Sequence, residues 1–134
     1  MNLRSLILAA GLLLAGSAQA YTIPELRTDC QAAEPIVNGE RVTDPGESLK
    51  GARCIAYLAG FADSYAVSDY LASKVGISLN AYCLPKDNDL TRRMVRAVLA
   101  QLDYLPTNPG GTTATLVAGA LARTFPCNSL ESGK

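Results

Sequence analysis

Four cysteines and no histidine constrain this chain more than any other feature of its 134 residues. Cys30, Cys54, Cys83 and Cys127 are even in number, which suits two cross-links. Zinc needs ligands that this sequence does not space correctly: it has no Cys-x-x-Cys pair, and the intervals between cysteines are 24, 29 and 44 residues. The choice between thiols and disulfides then turns on the compartment.

The first residues decide the compartment. Asn2 to Arg4 form a short positive start, Leu6 to Gly16 an apolar run, and Ala18-Gln19-Ala20 the small-x-small pattern that signal peptidase reads. Residues 1–20 therefore read as a signal peptide cleaved after Ala20, with residues 21–134 as the mature domain. The apolar run is shorter than the ~20 residues of a membrane span, and no second run follows it. Residue 21 is Tyr, so the acylated cysteine of a bacterial lipoprotein is missing from its expected place. The expected location is the periplasm, where the four cysteines oxidise.

Removal of Arg4 with the signal peptide turns 12 basic and 12 acidic side chains into 11 and 12, a mature net charge near −1. Nucleic-acid binding calls for a basic excess, so that class of partner is not expected. The mature length fits one domain whose core is marginal without staples.

Helical periodicity runs through the mature chain. Thr22-Ile23-Pro24-Glu25 reads as a capping box opening a first helix to about Ala33, with Leu26, Cys30 and Ala33 inward. Pro35, Asn38, Gly39, Asp44, Pro45 and Gly46 then predict a loop. A long second helix runs from a Ser48 cap to about Lys74, closed by Gly76. Ala52, Ala56, Ala59, Gly60 and Ala62 give it a small-residue face that another helix could approach closely, while Tyr57, Phe61 and Tyr65 recur every four residues as core or helix-helix contacts.

Val75 to Ala81 reads as an irregular connection, and Pro85 disfavours helix at Leu84. Asp87 or Asp89 caps a third helix to about Tyr104, with Leu90, Met94, Val95, Val98, Leu99 and Leu102 inward. Arg92, Arg93 and Arg96 point outward, as a solvated face or as a surface for an anionic partner. After the turn from Leu105 to Gly111, Thr112 or Thr113 begins a fourth helix bearing Leu116, Val117, Ala120, Leu121 and Phe125, which Pro126 stops. No stretch alternates like a strand, so the fold class is all-α: one small helical domain of four to five helices with two disulfides.

That layout orders the cysteines. Helices three and four should fold antiparallel about their short Pro/Gly loop, bringing Cys83 to Cys127 and leaving Cys30 for Cys54. Loops of this size predict about 3 to 4 kcal/mol per bridge in the chain-entropy model.

No catalytic apparatus emerges. Without histidine the usual triads and general bases are excluded. Asp87 and Asp89 read as helix caps, and Asp63 as an acid within a helix that calls for a hydrogen bond or a partner. Gly110-Gly111 lacks the Lys-Ser/Thr of a phosphate loop, and no cofactor or metal is called for.

Three motifs in series carry a resemblance: Gly51-Ala52-Arg53-Cys54-Ile55-Ala56-Tyr57-Leu58-Ala59-Gly60-Phe61-Ala62-Asp63, then Tyr82-Cys83-Leu84-Pro85, then Leu121-Ala122-Arg123-Thr124-Phe125-Pro126-Cys127. In order and spacing they resemble the Rap/Tai family of type VI secretion immunity proteins. Ile55-Ala56 stands where that family usually has Gly-Tyr after the cysteine. The resemblance implies a periplasmic, non-enzymatic inhibitor of a secreted peptidoglycan amidase, a homodimer, and a protruding loop that occludes the amidase cleft. It puts partner contacts at Lys86, Asp87, Asn88 and Asp89, or at Thr107 and Asn108, and gives Gly60, Asp63, Pro85 and Pro126 structural roles. The same composition also suits an acid-stress periplasmic chaperone of the HdeA kind, in which carboxylate protonation is the low-pH switch.

Overall fold

A computed structural model describes residues 20–106 and 110–127, so residues 1–19 of the expected signal peptide, Thr107 and Asn108 lie outside the described residues. Four helices follow in order: α1 (Ile23–Val37), α2 (Pro45–Ser73), α3 (Leu90–Tyr104) and α4 (Thr113–Thr124), with no strand among the described residues.

The helix starts follow their capping chemistry. Thr22 and Glu25 close the expected capping box, and Thr112 with Thr115 forms another, which settles Thr112 as the cap of α4. The start of α2 lies one turn earlier than Ser48. Asp44 accepts from the amide of Glu47 at 2.8 Å and Pro45 occupies the first turn, where its missing N–H costs nothing. Asp89 holds the cap position of α3 but makes no capping bond with its side chain.

The end of α1 corrects the reading of Pro35 as a breaker. Pro35 lies inside the helix, close enough to its end that only one ladder bond is forfeited. The stop comes four residues later, where Gly39 adopts φ +81° and a Schellman pattern forms. The amide of Glu40 donates to the Pro35 carbonyl at 2.9 Å, and that of Gly39 to Ile36 at 3.0 Å.

One core joins the four helices: Leu26, Cys30 and Ala33 of α1, Cys54 and Leu58 of α2, Met94, Val95, Val98 and Leu102 of α3, and Leu116, Val117, Ala120 and Leu121 of α4. Both expected bridges are present, Cys30–Cys54 and Cys83–Cys127. Beside the second, the amide of Cys83 donates to the Phe125 carbonyl at 2.8 Å, tying the segment before α3 to the end of α4.

Of the small-residue face of α2, Ala62 alone packs against the core. Ala52, Ala56, Ala59 and Gly60 are exposed, and a Cβ on Gly60 would find nothing within 4 Å. The close approach falls on the other side of the helix, at buried Gly51. There a Cβ would lie 2.8 Å from the Ala32 carbonyl oxygen and 2.5 Å from Ile36 Cδ1. Only a residue without a side chain lets α1 and α2 come this near.

Candidate partner-binding surfaces

The segment from Pro85 to Asp89 enters α3 as a charged turn stapled to the helix behind it. Asp87 accepts from the amide of Asp89 at 3.0 Å and pairs with Arg93 at 3.0 Å, while Asp89 pairs with Arg92. Lys86, Asp87 and Asn88 are exposed, Asp89 and Pro85 half-buried. The helix-three arginines are thereby engaged at home. Arg93 also lies 4.8 Å above the Phe125 ring, and Arg96 donates to Asn38 at 3.0 Å. That favours the solvated-face reading of the cluster.

The turn from Pro106 to Gly111 leaves the opposite end of the same helix. Fifteen residues of α3 separate the two turns, a rise of about 22 Å. The structure therefore does not bring Lys86–Asp89 and Pro106 into one compact site. At the Pro106 end a shallow groove of about 520 Å³ runs between Ile23, Pro24, Arg27, Leu102, Leu105 and Pro106, and Tyr104 nearby is 86% exposed.

A surface that the sequence reading did not single out is the second half of α2 with its return segment. No residue from Ala59 to Ala81 is buried. The return is held by three contacts: Leu79 N–H to Asp69 at 3.1 Å, Ala81 N–H to the Tyr65 hydroxyl at 2.8 Å, and the Tyr65–Tyr82 stack with centroids 4.0 Å apart. On this arm Val67, Tyr70, Leu71, Val75 and Ile77 are each more than half exposed. Their signal in the sequence is an apolar stripe at i, i+3 and i+4 on the face opposite Leu58, which makes the helix apolar on both sides. Asp63, at the root of the arm, is exposed, and Pro126 is exposed beyond the end of α4.

The acid that does need partners is Asp29, 1% exposed on α1. Arg53 of α2 grips it with two nitrogens at 2.9 and 2.8 Å, and the Tyr21 hydroxyl donates to it at 2.6 Å. Burial pushes the carboxyl up, but the hydrogen bonds from Arg53 and Tyr21 outweigh that and hold it below the ordinary range. Burial and the carboxylate raise the Tyr21 phenol. Tyr21 is further pinned by its ring edge against Tyr57, centroids 4.9 Å apart, and by Thr113 donating to its carbonyl at 2.5 Å. A second buried phenol, Tyr82, has no hydrogen-bond partner, and burial pushes it up to about 12.

Among the described residues no three acidic or cysteine side chains gather as a cation site, and no helix is long and apolar enough to cross a membrane. No curated protein and no solved structure matches the chain. A family model described as Rap1a immunity proteins does match, over residues 22–127, from the capping box of α1 to the last cysteine. That span takes in all four helices and both disulfides, and the chain belongs to the Rap1a immunity protein family.

Proposed function

We propose that this protein is exported, loses residues 1–20, and in the periplasm binds and inhibits a peptidoglycan amidase delivered by a type VI secretion system. The observation that carries the reading is the family match across the whole described domain. Membership implies a binding role against a secreted effector, and the two disulfides agree with an oxidising compartment. An acid-loosened chaperone would draw its switch from buried carboxylates. Among the described residues Asp29 is the one buried acid, and its partners move its protonation to a pH below the ordinary carboxylate range.

The effector contact is assigned to the exposed polar turn Lys86 to Asp89 or to the segment containing Thr107 and Asn108. Their separation along α3 means that a narrow cleft admits one of them, with the other left to the rim. Gly60 and Asp63, exposed on α2, then belong to its outer face rather than to the core. The apolar arm is assigned to a second copy of the chain. A two-fold interface uses the same patch on both subunits, and such interfaces are more apolar than the rest of a protein surface. Val67, Tyr70 and Leu71 make such a face.

Purified residues 21–134 should co-elute with the amidase encoded beside the gene and suppress its hydrolysis of cell wall. Replacing Lys86 and Asp87 together should weaken that complex while leaving the circular dichroism spectrum unchanged. Leu71→Asp should leave the fold intact and turn a dimer into a monomer on size exclusion. Failure to bind any neighbouring secreted effector would overturn the reading.

A further inference from the structure

The contacts between α1 and α2 form an antiparallel ladder. Tyr21, just before α1, meets Tyr57, the adjacent Asp29 and Cys30 meet the adjacent Arg53 and Cys54, and Ala32 meets Gly51, so that from one turn to the next the numbers rise on one side as they fall on the other. The disulfide thus adjoins, one residue away on each helix, the pair of buried Asp29 with the exposed Arg53, and a close backbone contact at Ala32 and Gly51 lies within the same turn. From this arrangement we propose that the Asp29–Arg53 pair is a registry device, which holds Cys30 beside Cys54 in the reduced chain and selects that bridge over the alternatives.

The physical basis is an asymmetry. A buried carboxylate with its guanidinium contributes modest net stability, but one without it is strongly penalised. Asp29 is buried against the α1–α2 contact, so a register that moves Arg53 by a turn, about 5.4 Å, breaks the two-nitrogen grip and leaves the carboxylate without that partner. Four cysteines allow three connectivities, and in only one does Cys30 pair with Cys54. Gly51 fixes where the backbones can approach. The charged pair adds a second constraint, directly beside the cysteines.

The chemistry is ordinary thiol–disulfide exchange with a disulfide oxidant, oxidised glutathione in the test below. One cysteine thiolate attacks the oxidant, forming a mixed disulfide and releasing one glutathione thiol. The second cysteine thiolate displaces the other, so two protein thiols and one oxidant disulfide become one protein disulfide and two glutathione thiols. The ion pair takes no part in the electron transfer; it sets how often the second cysteine lies within reach of the mixed disulfide.

The test is oxidative refolding of reduced residues 21–134 in a glutathione buffer, trapped at intervals by alkylation, with bridges mapped by mass spectrometry. The ratio of Cys30–Cys54 to Cys83–Cys127 formed at early times is the readout. Asp29→Asn combined with Arg53→Met removes both charges at once, and the ratio should fall about tenfold while mispaired forms rise. Asp87→Asn combined with Arg93→Met, the ion pair near the other bridge, should not lower it. Because the ratio is read from trapped intermediates, it remains measurable even if the first variant never reaches the native state. A wild-type ratio in the Asp29/Arg53 variant would overturn the proposal. So would equal slowing of both bridges, which would assign the pair to general stability instead.

Discussion

The two halves of α2 have similar composition and opposite fates. From Pro45 to Leu58 the helix carries a bridged cysteine, a glycine in backbone contact with α1, a buried leucine and the arginine that holds Asp29. From Ala59 to Ser73 nothing is buried, although Val67, Tyr70 and Leu71 are as apolar as anything in the first half. Hydrophobicity alone therefore does not decide which residues of this chain are core. Position along the ladder with α1 does, and the ladder ends where α1 begins. Beyond it Phe61, Ala62 and Tyr65 pack against the core from its edge, and the outer face with Val67, Tyr70 and Leu71 is left uncovered.

Leucine truncation gives the widest separation between the halves. Leu58→Ala should cost roughly 2 to 5 kcal/mol in denaturant melts, whereas Leu71→Ala should stay within about 0.5 kcal/mol in the monomer. A large loss at Leu71 at low protein concentration would show that the arm packs on its own domain. The glycines come next. Gly51→Ala should cost about 1 to 3 kcal/mol, because the added carbon meets the Ala32 backbone.

The ion pair at the boundary has a definite pH signature. The Asp29 carboxyl is lowered in the folded state, so its contribution is complete above the unfolded value of about pH 4 and disappears as pH falls through the lower folded one. The gap in Tm between wild type and Asp29→Asn should accordingly be widest at neutral pH and close in acid. A gap independent of pH would mean that Asp29 acts through shape rather than charge. The smallest effect has the opposite sign. Gly60→Ala, on the free face, should raise stability by up to about 1 kcal/mol through helix propensity.

Much of the fold was legible in the sequence because its signals are local. The capping box at Thr22, the inward positions of α3 and α4, and both disulfides follow from spacing and short loops. What escaped depends on geometry across the chain. Pro35 looks like a stop until the Schellman turn at Asn38–Gly39 is seen to do the stopping. Gly51 and Gly60 are indistinguishable as letters, and only the approach of Ala32 tells them apart. Asp63 drew notice as an acid within a helix, yet Asp29 is the one that is buried, since burial depends on which face α1 turns to α2. The arm escaped because an apolar stripe on a long helix reads as core whether or not anything covers it.

The two bridges also give the chain a topology. Cys30–Cys54 closes one ring and Cys83–Cys127 another, and the rings neither nest nor overlap. Residues 55–82, which include the whole arm, are the single covalent thread between them. A nick at Arg41, in the exposed turn inside the first ring, would leave every piece tethered. A nick at exposed Lys74 would divide the molecule into two looped fragments held together by packing alone.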